Sequence, residues 1–242
     1  MFFIREKDIY LDCFTCIPHV YDYAKISHGR NYKPNWLKDT PKLRNDEQQT
    51  IKNCTALLQF YEKGIVIPSW CELELTIGDK KDRYWSWESS SDTLSTDNSH
   101  DSNQFEKFAK GRGNNIKINS PWRFKTKKDI KFVWSQPTWS MRDTLFNFSI
   151  LPGVLEFRKQ HATHINLFIE HKDEQQFCKI PSLEPLAMLH PLTEKKIIIK
   201  NHLVSEKEMQ RIAYGMTHLY FNRNFLETQK NKNRIKEKLF NR

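Results

Sequence analysis

Residues 152–191 constrain the fold of this chain more than any other segment. They begin with a Pro-Gly turn and continue as a long alternating strand over 163–171, a second short strand, and an apolar strand bounded by prolines. In the long strand Ile165, Leu167 and Ile169 lie on one face, because successive side chains of a strand point to opposite sides. This pattern is typical of the returning half of a β-barrel or jelly-roll, and it contains no obvious reactive group.

Shorter alternating runs precede this segment. Their apolar positions fall into three groups, namely Cys71, Leu73, Leu75 and Ile77; Ile130, Phe132 and Trp134; and Phe146, Phe148 and Ile150. Short strands at this spacing, separated by prolines, are typical of a sandwich or barrel. The 16 Phe, 8 Tyr and 7 Trp supply bulky side chains for its core. We therefore expect a mainly β fold, built as a distorted β-barrel or jelly-roll.

The sequence pattern divides the chain into three regions. Residues 1–49 carry prolines and scattered aromatic residues, which predicts an extended N-terminal arm. Residues 50–200 are predicted to form the barrel or jelly-roll domain, and residues 201–242 a C-terminal helix followed by a basic tail. Inside the domain, residues 86–104 contain seven serines and four acids without Lys or Arg, so we expect a mobile loop there.

One short helix is predicted near the start of the domain, over residues 50–63. Ile51, Cys54, Leu58 and Tyr61 fall on one face at helical spacing. The residue before this run can cap a helix, and the glycine after it can end one.

The charge balance of the chain permits several kinds of partner. Lys and Arg total 39 and Asp and Glu total 29, which gives a formal charge of +10. This excess of positive charge permits contact with nucleic acid or acidic proteins. The alternative is that the lysines only form a solvated surface. No run of 18 apolar residues predicts a membrane span, and the N-terminal segment lacks the pattern of a signal peptide. Five cysteines without an export signal then indicate reduced thiols and a cytoplasmic location.

Cys13, Cys16 and His19 have the local spacing of half a zinc site. A structural zinc site needs four ligands, and the sequence contains no second pair at matching spacing. The alternative is that the two cysteines pack as small apolar residues. We predict no metal and no cofactor for this chain.

Signatures of nucleophilic and phosphate-binding sites do not occur in the sequence. It contains no GxSxG, GxxxxGK[ST] or GxGxxG. Cys71 falls on the inward side of a strand, where its thiolate would be desolvated. Glu72 and Glu74 share one face of that strand. We interpret this face as solvated, and the alternative is a functional carboxylate pair. His164 could share a metal ion with other histidines only if they lie on adjacent strands. The alternative is that it is a hydrogen-bonded surface histidine.

The C-terminal tail is strongly basic. Residues 223–242 contain seven Lys and Arg and two Glu, a charge of +5. The candidate contact residues for nucleic acid or an acidic protein are Arg223, Lys230, Lys232, Arg234, Lys236 and Lys238. The alternative is that these side chains only solvate a helix end.

A series of motifs resembles an uncharacterised family of proteins from tailed phages of aquatic bacteria. The motifs are YKPNWLKDTPK (32–42), TIKNC (50–54), GIVIPSWCELELTI (64–77), INSPWRFKT (118–126) and PGVLEF (152–157), followed by PLAMLHPL. Thr55 stands where the family pattern has proline. The resemblance implies a viral origin, and hence a location in the host cytoplasm or the virion. That family has no assigned activity to carry over.

Residues 120–191 are also similar to the distorted β-barrel of dUTPases and dCTP deaminases. Glu156 stands near the place of the catalytic aspartate in those enzymes, within the run Gly153 to Arg158. The phosphate-binding RSS motif and the glycine-rich C-terminal motif are absent from this sequence. The resemblance therefore implies the barrel without the hydrolase.

Three functions remain open from the sequence. The first is a non-enzymatic viral protein that acts through protein contacts, as a virion or assembly component, with partner proteins or further copies of itself. The second is a nucleotide- or small-molecule-binding protein or enzyme, with Glu156, Arg158 and His164 as polar groups of one cleft. The third is nucleic-acid contact through the basic tail.

Overall fold

The chain folds into strands that assemble into three sheets, with short helices between them. The computed structural model describes residues 8–91, 112–137, 148–158 and 162–212. The α-helices are α1 (Pro18–Tyr23), α2 (Asn35–Asp39), α3 (Thr55–Lys63) and α4, whose described residues are 206–212. Short 3-10 helices cover Gly29–Tyr32 and Ile51–Asn53. No helix within these described ranges is long and apolar enough to cross a membrane.

The first sheet has five strands in the order β13-β1-β6-β10-β8. These strands are β1 (Ile9–Thr15), β6 (Gly113–Lys125), β8 (Phe148–Ile150), β10 (Ala162–Glu170) and β13 (Ile197–Leu203). Strands β1 and β13 run parallel, and every other neighbouring pair is antiparallel. The first and last described strands of the chain therefore lie side by side at one edge of the sheet.

The second sheet also has five strands, in the order β2-β3-β12-β7-β9, and all its pairs are antiparallel. These strands are β2 (Ser27–His28), β3 (Ile65–Pro68), β7 (Phe132–Ser135), β9 (Gly153–Leu155) and β12 (Pro185–Pro191). A third, smaller antiparallel sheet has the order β11-β4-β5. Its strands are β4 (Leu73–Ile77), β5 (Trp85–Ser89) and β11 (Gln176–Ile180).

One apolar core lies beneath all three sheets. Leu11 of the first sheet, Ile67 of the second and Leu75 of the third are almost fully buried in the same cluster of side chains. Alternation along each strand places these side chains inward and their neighbours outward. In β1, for example, Leu11 is buried while Tyr10 is exposed. The prediction of a mainly β fold is therefore confirmed.

The predicted helix over residues 50–63 is present but divided. A 3-10 helix precedes Cys54, and α3 begins at Thr55. The hydroxyl of Thr50 accepts a hydrogen bond from the Lys52 N–H at 3.3 Å, which stabilises the tighter first turn. The sequence pattern did not predict α1 and α2.

Three predicted boundaries differ from the structure. Residues 9–15, expected in an extended arm, form a strand of the first sheet, because β6 and β13 pair with them from distant parts of the chain. Residues 86–89, expected in a mobile loop, belong to β5, where Trp87 pairs with Leu75. The expected boundary at residue 200 falls inside β13. Residues 92–104 of the predicted loop lie outside the described residues.

We expect Phe157→Ala to destabilise the fold by about 3–5 kcal/mol, because its ring is fully buried and stacks on Phe124 at 5.0 Å between ring centroids. Chemical denaturation of the two proteins gives this difference in unfolding free energy. The matched control is Tyr23→Ala, at a ring that is 76% exposed, and it should change stability by about 0.5 kcal/mol or less. Equal effects of the two substitutions would contradict the position of the core.

Candidate functional site

The three residues predicted to share one cleft have different surroundings. His164, on β10, lines a cavity at the edge of the first sheet, and its Nδ1 lies 2.6 Å from the Asn119 Oδ1. Arg158 is more than half exposed, and its Nη1 lies 3.8 Å from the Asp129 carboxylate. Glu156 directly follows β9. Of the three, only His164 is among the residues that line this cavity.

The cavity has a volume of about 290 Å³ and lies where the chain crosses from the first sheet to the second. Leu151 and Pro152 make this crossing between β8 and β9. They line the cavity together with Trp134 of β7, so one wall is apolar. We call it the crossover cavity.

The opposite wall of the crossover cavity is polar and comes from β10. Thr163 is 1% exposed, and its hydroxyl has no hydrogen-bond partner. The Oδ1 of Asn166 is also buried without a partner. Both atoms are closed to solvent, and residues 163 and 166 lie on opposite faces of β10, so a molecule in the cavity would not pair with both of them.

Cys13, Cys16 and His19, which have the spacing of half a zinc site, have different surroundings. Cys13 is fully buried in the core, and burial raises the pKa of its thiol well above the ordinary value. His19 lies on the exposed side of α1. Cys16, which lies between these two residues in the sequence, is half-buried. Across the part of the chain that the structure describes, no three His, Cys, Asp or Glu side chains are grouped to hold a metal ion.

The carboxylates of Glu72, just before β4, and Glu74, within it, are held by a lysine of the neighbouring strand. Lys179 Nζ donates to Glu72 at 2.8 Å and to Glu74 at 2.9 Å. These hydrogen bonds raise the pKa of Lys179 to about 12. The interpretation of this pair as a solvated strand face agrees with that arrangement. Cys71 is buried, and burial raises the pKa of its thiol.

The predicted nucleic-acid contact residues of the tail lie outside the described residues. These are Arg223, Lys230, Lys232, Arg234, Lys236 and Lys238. A different basic surface is described on the outer face of the first sheet. There, a groove of about 590 Å³ is lined by Tyr10, Lys127, Lys128 and Lys200, together with two aspartates.

This groove, the Tyr10 groove, combines an aromatic ring with cations. Tyr10 is 46% exposed, and Lys200 Nζ lies 4.4 Å from the centre of its ring. The aspartates are Asp8 and Asp12, and Asp12 Oδ1 lies 2.9 Å from the Nε2 of His202. Three lysines against two acids, one of them engaged by a histidine, leave an excess of positive charge.

Strand β11 of the third sheet carries an exposed aromatic ring on its outer face. Among the described strands, β11 pairs with β4. Cys178 and Ile180 point into the core, so Phe177 and Lys179 point outward, and Phe177 is 72% exposed. The sequence of residues 176–180 could have predicted this exposure. Side chains alternate along a strand, so an inward Cys178 requires an outward Phe177.

Comparison with known proteins identified no matching family model, no similar curated protein and no similar solved structure.

Two half-buried histidines of the second sheet make stability depend on pH. Burial lowers the pKa of His190, whose ring packs on Phe60 at 4.4 Å, and its Nε2 has no hydrogen-bond partner. Burial, followed by the nearby Arg30 charge, lowers the pKa of His28. The unfolded chain therefore binds protons more readily than the folded one below the ordinary histidine pKa of about 6.5.

The contribution of these two histidines to the unfolding free energy should be complete above pH about 6.5. It should fall as the pH decreases from there through the lowered pKa values of the folded protein. His190→Gln removes one titrating group, so its stability should depend less on pH between 7.5 and 5.5. Denaturation curves at several pH values measure both proteins. Parallel pH profiles would contradict the role assigned to His190.

Proposed function

We propose that this protein is a non-enzymatic viral assembly component that acts through protein contacts, and that one partner is a second copy of the same chain. The observation that carries the proposal is the exposed Phe177 ring on the outer face of β11. The motif resemblance to tailed-phage proteins supports a viral origin, in the host cytoplasm or the virion.

Aromatic rings exposed on a folded surface are a common feature of protein–protein contact sites. On β11 the outward positions hold one lysine and one large apolar ring, Lys179 and Phe177. The lysine is already held by two carboxylates of its own sheet, so the ring remains the exposed apolar feature of this face.

The outer face of β11 is suited to packing against itself around a two-fold axis, because such a contact uses the same surface patch of both copies. The two Phe177 rings would then pack on each other and lose their exposed apolar area. The ion pairs of Lys179 with Glu72 and Glu74 would lie beside the rings, as part of the polar rim of the contact.

We expect Phe177→Lys to reduce association, because it removes the apolar ring and brings like charges of the two copies together. The mass in solution, measured by sedimentation over a range of concentrations, should fall from twice the 29.0 kDa of one chain toward one chain. The matched control is Leu192→Lys, which introduces the same charge at another exposed apolar position, 59% exposed, and should leave the mass unchanged.

A monomeric parent protein at all concentrations would overturn self-association through β11. An equal effect of the two lysine substitutions would also contradict it, because the loss would then reflect added charge and not the contact of this ring.

We further propose that the two five-stranded sheets form opposite walls of a distorted barrel or jelly-roll. Their support is the shared core, to which Leu11 of one sheet and Ile67 of the other both belong. The enzyme alternative draws no support from the arrangement of side chains, because His164 lines the crossover cavity while Arg158 faces Asp129.

A second candidate function is contact with single-stranded nucleic acid, and the Tyr10 groove favours it. Bases stack on exposed aromatic rings, and lysines nearby neutralise the phosphates. Lys200 lies over the Tyr10 ring. A base would take its place on the ring, and the displaced ammonium would then be available to a phosphate.

We expect Tyr10→Ala to weaken binding of a short single-stranded oligonucleotide about tenfold, since stacking on one ring contributes about 1–3 kcal/mol. Fluorescence anisotropy at two salt concentrations measures this, and affinity should fall as salt rises. Tyr23→Ala is the control, at a ring that is 76% exposed and does not line the groove. Equal affinities of the two variants would contradict a role of the Tyr10 groove in binding nucleic acid.

A further inference from the structure

We propose that the cavity between α3 and the connection from β12 to β13 (residues 192–196) binds a phosphate group. We call it the basic cavity. Its volume is about 230 Å³, which is below the range of about 300–1,000 Å³ that is typical of small-molecule pockets. A phosphate with at most a small attached group fits this space. The inference depends neither on self-association nor on nucleic-acid contact.

Cations from three separate parts of the chain line the basic cavity. One follows β2, one ends α3, and two lie in the connection from β12 to β13; in this order they are Arg30, Lys63, Lys195 and Lys196. The backbone N–H of Gly29 donates to the Gly64 carbonyl at 2.7 Å, which joins the first two parts beside the cavity. The fold therefore brings together cations that are far apart in the sequence.

Positive charges outnumber negative ones in this lining. Among the described residues around the cavity, the carboxylates of Glu62 and Glu194 stand against four cations, which leaves an excess of two positive charges. Arg30 Nη1 lies 2.7 Å from Glu62 Oε1, and Lys63 pairs with Glu194. The side chain of Glu194 is 91% exposed, and ion pairs at such positions contribute little stability. Lys63 can therefore exchange this carboxylate for an anion in the cavity at low cost.

His28 also lines the basic cavity, and its imidazole senses the electrostatic potential there. Burial has the largest effect and lowers the pKa of His28, and the charges of Arg30 and Lys196 lower it further, whereas Glu62 raises it. The two cations outweigh the one carboxylate at this position. A positive potential that disfavours a proton on His28 favours an anion at the same place.

The charge of the ligand follows from this excess. The C-terminal end of a helix carries roughly half a negative charge, and α3 ends at Lys63, so the helix opposes an anion. The excess of two positive charges outweighs this effect. A phosphate monoester carries a charge of about −1.5 to −2 at pH 7, and its oxygens accept hydrogen bonds from ammonium and guanidinium groups. Phosphate therefore matches the lining better than a carboxylate, which carries a single charge.

The test uses the full chain and two probes, inorganic phosphate and methyl phosphate, in calorimetric titrations at an ionic strength held constant with sodium chloride. We expect at least one probe to bind, and Lys196→Gln to weaken that binding about tenfold, because it removes a charge-assisted hydrogen bond. The matched control is Lys172→Gln, which removes the same charge at an exposed lysine outside the cavity and should leave binding unchanged. The relative affinities of the two probes distinguish a site for free phosphate from a site for a phosphate monoester.

Glu194→Gln tests the basic cavity in the opposite direction. It removes the carboxylate that pairs with Lys63, so we expect it to strengthen phosphate binding several-fold, an effect that a loss of folding does not produce. NMR titration of the His28 imidazole supplies an independent measurement. Bound phosphate should raise the pKa of His28, whereas chloride at the same ionic strength should not.

Four results would each overturn the proposal. They are the absence of binding by both probes, equal effects of Lys196→Gln and Lys172→Gln, weaker binding by Glu194→Gln, and a pKa of His28 that phosphate does not change.

Discussion

Leu11, Ile67 and Leu75 belong to three different sheets, and their side chains are buried in one core. Because side chains alternate along a strand, this shared burial also determines which residues face outward. Tyr10 is exposed because Leu11 is buried, and Phe177 is exposed because Cys178 points inward. The candidate contact surfaces are therefore consequences of the same packing that stabilises the fold.

Period-two alternation predicted strands β4, β7, β8 and β10, since it is a local property that the sequence displays directly. It also located the inward faces of β4, β7 and β10 correctly. The place of residues 9–15 could not be found in this way, because their parallel pairing with Ile197–Leu203 joins segments almost 190 residues apart. For the same reason, local patterns could not predict that Tyr10 and Lys200 line one groove.

The candidate site was predictable in part. His164 was selected from the sequence and does line a cavity, but Trp134 and Thr163, which give that cavity its two walls, carried no signal of binding. Trp134 fits the alternation of a core strand, and Thr163 begins one. Only the crossing of the chain between the two five-stranded sheets brings these residues together, and this crossing is a property of the topology.

The central proposal is that two copies of the chain associate through the outer face of β11. Hydrogen exchange of the backbone amides in residues 176–180, followed as the protein concentration is raised, tests it most directly. The account predicts that these amides become more protected at high concentration, while the amides of β13, at an edge of the first sheet, do not change. Protection in β11 that is independent of concentration would contradict it.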